Sequence, residues 1–480
     1  MVADKLKYRK ADNLIEWYNE VLLKAEVVDF SEVKGFAVYR PYGYSMWEST
    51  QRYLDSKFKS IGAENAYFPL LIPEKILNKE KKHVEGFSPE VAWVTMGGDR
   101  ELDEKLAIRP TSETIMYDSY SKWVKSYRDL PLLLNQWNTM VRWETKETRF
   151  LLRGRENLWQ EGHCAFASAK EAEENAVDVL GFYRKFMQDI LAVPVLVGRK
   201  SEKEKFAGAF RTYTVEAVLS NNFTSQAATS HDLAQNFSKA FEIRFLDDKN
   251  SWQNVYQTSW GISMRSIGVM VLVHGDDSGL ILPPRIAPIQ VVVIPILKGT
   301  AADKEIREYT KKVETELKAL GIRSKLDDRD TYSAGWKFNE YDMRGVPIKI
   351  EAGERELSSD SLSVKVRFGG EKYLIKLNEL KKISSKLEEI QEKMFEGAKK
   401  DMAARIKIEK DKENFILELK NAKAILKVSW CGKEDCENKI KETTGATSRL
   451  IPLEKEELID KKCVFCADKA NFNAYFAQSY

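Results

Sequence analysis

The sequence predicts a multidomain α/β protein, and three observations support this. At 480 residues the chain is too long for one hydrophobic core, which normally stops growing near roughly 250 to 300 residues. Its first part mixes amphipathic helices with strands of alternating aromatic and polar residues, whereas at Ile289 a nearly continuous apolar run begins a strand–helix alternation. Four of the five cysteines are grouped near the C-terminus, which indicates a third, smaller unit.

The first part of the chain opens with helices. Apolar residues recur every three or four positions over 12–25 and again over 44–61, which predicts two helices with one buried face each. A short buried strand is expected at 66–73. Alternation over 131–169 predicts an antiparallel hairpin around a charged loop. A helix at 170–192 and further strands up to Pro288 complete this part.

The second and third parts follow different patterns. The run 289–297 predicts a strand covered on both faces, and 301–320 predicts a helix that ends at Gly321. A further strand, helix and strand make this a parallel or mixed α/β unit of about a hundred residues. From about 374 to 426 the lysine- and glutamate-rich pattern predicts helices, and the cysteine segment ends the chain.

Composition excludes several classes of protein. No apolar run approaches the length needed to cross a bilayer, and even 267–273 is short and interrupted by Gly268, so no membrane partner is expected. The start MVADKLKYRK does not resemble a secretory signal, and a cytosolic location is expected. A net charge of +3 excludes a protein held on nucleic acid by its overall field.

The cysteine cluster predicts a metal site. Cys431 and Cys436 are separated by four residues, and Cys463 and Cys466 by two, which are spacings of a tetrahedral Zn²⁺ site with four thiolates. Four thiolates leave no position for a substrate, so this zinc would be structural. The alternative is four unligated cysteines in a small domain. The fifth, Cys164, is expected in the core.

Polar residues in the first part form a candidate pocket. Thr111 and Glu113 share one face if the backbone is extended, but a helix N-cap explains them about as well. Arg142 and Glu144 share a face at the start of the charged loop. Alternation then groups an aromatic ring, a carboxylate and an imidazole on the second strand of the hairpin, where a solvent-exposed salt-bridged face is the simpler alternative. These three residues are Trp159, Glu161 and His163.

Two later segments extend this pattern. Thr229 and His231 lie two residues apart, and Ser263 and Arg265 follow in the run WGISMRSIG. In this order, the segments resemble the catalytic core of class II aminoacyl-tRNA synthetases, and specifically prolyl-tRNA synthetases of the archaeal and eukaryotic type. GFAVYRPYG at 35–43 is similar to motif 1, 141–166 to motif 2 and 260–288 to motif 3. The resemblance extends over essentially the whole chain.

The resemblance implies a fold and an activity. It implies an antiparallel-sheet catalytic domain at 1–286, an α/β anticodon-binding domain at 287–384 and a small zinc-binding α/β domain at 385–480. The expected reaction joins L-proline, ATP and tRNA(Pro), with Mg²⁺ and a structural Zn²⁺. A homodimer is expected through the motif 1 helix, with the face bearing Trp47, Leu54 and Phe58 packing partly on the partner.

Site residues carry over position by position. Arg142 and Arg265 would be catalytic, because arginine stabilises charge as a carboxylate attacks phosphorus. The implied proline pocket consists of Thr111, Glu113, Arg142, Trp159, Glu161, His163, Phe206 and His231. The implied ATP site consists of Arg142, Glu144, Arg153, Gln226, Thr229, Ser263 and Arg265. Lys337, Glu351 and Arg355 are candidates for anticodon contacts, and Tyr480 matches a terminal tyrosine near the active site in the family.

The sequence departs from the family pattern in two places. Gly154 replaces a hydroxyl residue after the motif 2 arginine, and Phe210-Arg211 replaces acidic or tyrosine residues. The segment between motifs 2 and 3 leaves no room for the large editing insertion of bacterial-type relatives. The rival interpretations are a threonyl-, glycyl- or histidyl-tRNA synthetase and a catalytically inactive synthetase-like protein that binds RNA or regulates a partner.

Overall fold

The computed structural model describes residues 5–83, 90–143 and 147–479. Two predicted site residues, Glu144 and Tyr480, lie outside this part of the chain. The first part contains the helices α1 Leu14–Lys24, α2 Pro41–Ser60, α3 Glu74–His83, α4 Glu113–Trp123, α5 Ala169–Lys185, α6 Asn236–Phe241 and α7 Arg265–His274. Its strands are β1 Val28–Phe30, β2 Ala37–Tyr39, β3 Glu64–Asn65, β4 Leu71–Pro73, β5 Trp93–Gly97, β6 Arg100–Ile108, β7 Leu132–Val141, β8 Glu156–Phe166, β9 Val195–Arg199, β10 Arg211–Val218, β11 Thr224–Ala234, β12 Arg244–Leu246, β13 Trp252–Asn254 and β14 Tyr256–Ser263.

The large sheet of the first part is antiparallel where it forms the site. Its strands run in the order β9-β10-β11-β14-β8-β7, and β3 adds a short parallel edge. The predicted hairpin is confirmed, since β7 and β8 pair antiparallel from Leu132 with Ala165 to Val141 with Glu156. Helix α5 packs across β8, β10, β11 and β14 and covers one face of the sheet. Cys164 points to this face and is buried in the core, as predicted.

The second part is the expected α/β unit. It contains the strands β15 Val291–Pro295, β16 Ser324–Leu326, β17 Ile348–Ala352, β18 Ser361–Val366 and β19 Lys372–Lys376, with the helices α8 Asp303–Ala319, α9 Ala334–Met343 and α10 Glu354–Ser358. The sheet is mixed, in the order β16-β15-β17-β18-β19, with the first three strands parallel. All five residues of β15 are buried, as its continuous apolar pattern predicts.

The third part is joined to the large sheet of the first part. It contains the helices α11 Lys382–Arg405, α12 Lys412–Lys420 and α13 Glu434–Thr444 and the strands β20 Ile406–Ile408, β21 Ile425–Trp430, β22 Thr447–Pro452 and β23 Phe472–Ala477. These strands lie in the order β20-β21-β23-β22, and β22 pairs antiparallel with β9 through Ile451 with Arg199 and Pro452 with Gly198. One eleven-stranded sheet therefore connects the cysteine unit with the large sheet of the first part.

Several sequence-based expectations about elements are wrong. Within 66–73 only Leu71–Pro73 forms a strand. The helical region expected at 374–426 contains the strand β20, which pairs with β21 and so satisfies its backbone in a sheet. Helix α7 lies where further strands were expected, because the apolar run 267–273 is buried on all sides and a fully buried helix has no amphipathic period.

The expectation that one face of α2 packs partly on a partner chain is also wrong for the residues named. Trp47, Leu54 and Phe58 are almost completely buried within the chain's own core. Phe58 packs against Trp260 with ring centroids 4.6 Å apart, so this face contacts the large sheet of the first part rather than a partner. Among the described residues, no helix is both long and apolar enough to span a bilayer.

Candidate active site

The pairing of strands in the large sheet of the first part, called the catalytic sheet below, places the predicted polar residues on one face. His163, Ser259, His231 and Thr212 lie directly opposite one another across the four strands β8, β14, β11 and β10. One pair further along, Glu161 faces Gly261, which faces Thr229. Because side chains two residues apart share a face, these rows form one polar floor on the side of the sheet away from α5.

A cavity of about 220 Å³ lies on this floor. It gathers every described residue of the predicted proline pocket and, apart from Arg153, every described residue of the predicted ATP site. Sequence reasoning missed several wall residues, among them Glu204, Thr212 and Trp260. The predicted residues that line the cavity are Thr111, Glu113, Arg142, Trp159, Glu161, His163, Phe206, Gln226, Thr229, His231, Ser263 and Arg265.

The TSE segment reaches the cavity as the start of a helix. Ser112 is the N-cap residue of α4 and Glu113 its first residue, so this segment begins a helix and is not an extended strand, but the Ser112 side chain makes no capping hydrogen bond. The Thr111 hydroxyl donates to the Glu113 carboxylate, and both residues are buried. The N-terminus of α4 therefore places a carboxylate in the cavity wall.

Glu161 is a buried carboxylate with a full set of donors. Its oxygens accept hydrogen bonds from the Ser112 amide at 3.1 Å, Asn138 Nδ2 at 2.7 Å, Gln136 Nε2 at 3.2 Å and His163 Nε2 at 3.1 Å. Burial opposes ionisation, but the bonds and the charge of His163, with those from Asn138 and Ser112, outweigh it and lower the pKa of Glu161 to about 2. Glu161 is therefore ionised at neutral pH.

The pKa values of the two histidines of the cavity are shifted in opposite directions. Burial lowers the pKa of His163, but the carboxylates of Glu113 and Glu161 outweigh this and raise it above its usual value. Burial, and then the charge of His163, lower the pKa of His231 to about 3. His231 is therefore neutral, with Nδ1 3.0 Å from the Thr212 hydroxyl and its ring 4.8 Å from that of Phe206.

Arginines form the second charged group of the cavity. Arg142 lies just after β7, with its guanidinium 5.7 Å from the centre of the Trp159 ring. Arg265 begins α7, and its guanidinium donates to the carbonyls of Leu152 at 2.9 Å and Gln226 at 3.3 Å. Burial, and then the charge of Arg142, lower the pKa of Arg265 to about 10, so it stays charged at neutral pH. Such a pair suits a polyphosphate.

Three buried polar groups on cavity-lining residues have no hydrogen-bond partner among the described residues: the indole N–H groups of Trp159 and Trp260, and the Ser259 hydroxyl. A buried donor without an acceptor costs free energy, which a bound polar ligand would recover.

The remaining predicted positions lie outside this cavity. Arg153 lines a neighbouring cavity of about 200 Å³, although its charge also acts on Arg265. A Cβ atom at Gly154 would lie 2.7 Å from the Glu156 carbonyl oxygen, so a hydroxyl residue there would require the backbone to shift. Phe210 and Arg211 line a separate groove, where Arg211 pairs with Glu173 at 2.7 Å.

The anticodon candidates differ in accessibility. Lys337 is 2% exposed, and its ammonium donates to the Asp327 carbonyl at 2.9 Å. A buried, paired ammonium cannot reach a base or phosphate without rearrangement, so the structure makes Lys337 a support for the Asp327 turn. Arg355 is exposed, and Glu351 lies 3.6 Å from Lys372.

The four predicted metal ligands meet at one point. The sulfurs of Cys431, Cys436, Cys463 and Cys466 lie within 4.8 Å of one another, and two of the pairs are 3.6 and 3.8 Å apart. A tetrahedron with Zn–S bonds of about 2.3 Å has sulfur–sulfur edges of about 3.8 Å, so the cluster fits Zn²⁺. No disulfide joins these cysteines.

Comparison with known proteins gives the family. A model described as "tRNA synthetase class II core domain (G, H, P, S and T)" matches residues 93–274, an "Anticodon binding domain" model 290–387, and a "Prolyl-tRNA synthetase, C-terminal" model 412–480. The curated "Proline--tRNA ligase 2" of Clostridioides difficile is 47% identical over 470 residues, covering 98% of this chain and 97% of that protein. The chain belongs to the prolyl-tRNA synthetase family.

Other members of the family agree with this assignment. A proline--tRNA ligase of Lachnoclostridium phytofermentans is 46% identical over 98% of the chain and 97% of its own length. A crystal structure of prolyl-tRNA synthetase from Cryptosporidium parvum, complexed with halofuginone and AMPPNP, has a TM-score of 0.95 and 42% identity, with 99% of each chain covered. The predicted fold class of synthetase core, anticodon-binding domain and C-terminal domain is thereby confirmed.

Proposed function

We propose that the cavity on the catalytic sheet is where both small substrates of the family's reaction bind and react. Membership of the family makes the chain a proline--tRNA ligase, which activates L-proline with ATP and transfers it to the 3′ end of tRNA(Pro). The observation that carries the proposal is the convergence of the predicted residues on one cavity with a carboxylate group and an arginine group.

The carboxylate group fits proline. The secondary ammonium needs anionic acceptors, which Glu113 and Glu161 supply, and the ring needs apolar walls, which Trp159 and Phe206 supply. Glu113, Glu161 and His163 could also hold a metal ion by geometry. We favour the ammonium, because both ring nitrogens of His163 are already hydrogen-bonded, to Tyr117 at 3.0 Å and to Glu161. The proposed set is Thr111, Glu113, Arg142, Trp159, Glu161, His163, Phe206 and His231.

The arginine group fits ATP. An oxygen of the proline carboxylate forms a bond to the α-phosphorus while the bond to the pyrophosphate oxygen breaks, and pyrophosphate leaves with the electron pair. Arg142 and Arg265 stabilise the charge that develops on the phosphoryl oxygens, and they need no change of protonation to do so. Mg²⁺ enters with the nucleotide and neutralises phosphate charge. The proposed set is Arg142, Glu144, Arg153, Gln226, Thr229, Ser263 and Arg265.

The second step, transfer of proline to tRNA, takes place in the same cavity. A terminal ribose hydroxyl of tRNA forms a bond to the carbonyl carbon of prolyl-adenylate while the bond from that carbon to the phosphate oxygen breaks, so that the ester, AMP and the hydroxyl proton are the products. In both steps the described residues mainly hold the reactants in line, which can contribute several kcal/mol without a protein nucleophile.

The test is proline-dependent exchange of pyrophosphate into ATP by the purified chain. We expect exchange with proline and none with threonine, glycine or histidine at equal concentration. Exchange that depends on another amino acid would overturn the proline pocket. The absence of exchange with every amino acid would instead favour the inactive synthetase-like interpretation.

The type within the family is also a proposal. We infer the archaeal and eukaryotic type, because only 44 residues, from Ala167 to Phe210, separate β8 from β10, which is too few for a large editing domain. Deacylation of alanyl-tRNA(Pro) by the chain, at a rate above the spontaneous one, would contradict this. One or two carbons of difference give only about 1 to 3 kcal/mol of discrimination, so a separate factor would have to clear the error.

The metal, the anticodon contacts and the dimer complete the proposal. Cys431, Cys436, Cys463 and Cys466 would hold a structural Zn²⁺, and Glu351 and Arg355 remain candidates for anticodon contacts. A homodimer would use exposed apolar residues near motif 1 instead of the buried face of α2. The largest of these are Phe30, Val33, Val38 and Tyr44. The domain boundaries at 286 and 384 and the cytosolic location stay predictions.

A further inference from the structure

The third part of the chain places a charged side chain against strand β10 of the large sheet. Arg449 lies on β22 and is 6% exposed. Its guanidinium donates to both carboxylate oxygens of Glu216, at 3.0 and 3.3 Å, across the junction between β22 and the catalytic sheet. Lys200 donates to the same carboxylate at 2.6 Å and to the Arg449 carbonyl at 2.9 Å. We call Lys200, Glu216 and Arg449 the junction cluster.

The junction cluster is almost completely buried. Each of its side chains is at most 7% exposed, and Arg449 Nε has no acceptor among the described residues. Buried ion pairs of this kind are often no more stable than apolar side chains of equal volume, because desolvation offsets their attraction. Stability alone therefore does not account for three charges at this junction.

The cluster is adjacent to the nucleotide end of the cavity. Glu216 on β10 pairs with Gln226 on β11, and the Gln226 carbonyl accepts the hydrogen bond from Arg265. The charges of Glu216 and Arg449 both act on the guanidinium of Arg265. A change in the cluster is thus felt at a residue that we propose contacts ATP.

We propose that Arg449 is a positioning residue for the first reaction step, acting through Glu216 on Arg265 and favouring the binding of the anionic nucleotide over that of proline. The junction cluster carries one net positive charge, which attracts ATP but has little net effect on a zwitterionic amino acid. The inference rests on the proposed role of Arg265. It makes the cysteine-containing part of the chain a contributor to the active site, although that part supplies no described wall of the cavity.

The test compares two arginines that join the same parts of the chain. Arg449→Met removes the charge beside Glu216. Arg405→Met is the matched control, because Arg405 also crosses to the catalytic part, where it donates to the Ser220 carbonyl at 2.6 Å and to Asn222 at 3.0 Å. In pyrophosphate exchange we expect Arg449→Met to raise the KM for ATP about three- to tenfold, the size of coupling within one charge network. The KM for proline should stay within about twofold, and Arg405→Met should change neither value.

Further variants keep the result decisive. Arg449→Lys, which retains the charge, should restore the KM for ATP toward the wild-type value. If the methionine variant does not fold, Arg449→Gln carries the same expectation. An unchanged KM for ATP, or an equal rise in the control, overturns the inference. Arg265→Met is measured in parallel: full activity in that variant would overturn the proposed ATP site itself, whereas loss there with no effect at Arg449 would overturn the inference alone.

Discussion

Replacing Glu161 with glutamine tests whether the buried carboxylate of the cavity is held ionised by its surroundings. The pKa of Glu161 is lowered from 4.5 to about 2. Since one pKa unit corresponds to about 1.4 kcal/mol, the folded state favours the ionised form by about 3 kcal/mol. Glu161→Gln keeps the shape of the side chain but removes the negative charge. That charge pairs with His163, and the carboxylate that carries it accepts the hydrogen bond from Ser112. We therefore expect the free energy of unfolding to fall by about 3 kcal/mol at pH 7.

The sign of the pH dependence follows from the lowered pKa. A carboxyl group with a depressed pKa contributes stability fully above its unfolded value of 4.5, and this contribution is lost as the pH falls toward 2. The difference between wild type and Glu161→Gln should thus shrink to about 2 kcal/mol at pH 3.5.

The assay is urea unfolding followed by tryptophan fluorescence, with analysis of the transition that reports the catalytic part. Glu173→Gln is the matched control, because Glu173 forms a half-exposed ion pair with Arg211 that should contribute less than about 1 kcal/mol. If the two variants are equally stable at pH 7, or if the difference grows as the pH falls, the account of Glu161 is refuted.

Three further predictions concern the site and its support. Arg142→Lys should reduce proline-dependent exchange at least about a hundredfold with unchanged circular dichroism, since lysine lacks the planar guanidinium; near-wild-type exchange would move the site elsewhere. Gly162→Ala should abolish exchange, because its Cβ would lie 2.2 Å from the Trp260 ring, whereas Gly181→Ala has nothing within 4 Å and should be tolerated; equal activity of the two would contradict the packing. Elemental analysis should find about one zinc per chain, and Cys463→Ser should lose it and lower the thermal midpoint; metal-free, equally stable wild-type protein would exclude the thiolate site.

Much of the candidate site follows from periodicity in the sequence. Trp159, Glu161 and His163 alternate along a strand, and a strand must present alternate residues on one face. The cysteine spacing likewise limits the ligands of a tetrahedral ion. Periodicity alone could not predict that the site binds proline and a nucleotide. That prediction came from the family resemblance.

Other features could not be read from the sequence because they depend on distant packing. Lysine is usually a surface residue, yet Lys337 is buried in the second part of the chain, where its ammonium donates to the Asp327 carbonyl. Glu216 and Arg449 are 233 residues apart, and no local pattern pairs them. Helix α7 was missed because a segment buried on every side lacks the amphipathic period on which helix prediction depends.

The pairing of β22 with β9 has a consequence for the synthesis of the chain. Strand β9 is complete some 250 residues before β22 begins. Until β22 leaves the ribosome, this edge of the large sheet is open, and Gly198 and Arg199 lack their strand partners in β22. An open strand edge is a template for pairing with another chain. Fragments truncated before Thr447 are therefore expected to aggregate even when their catalytic residues are intact.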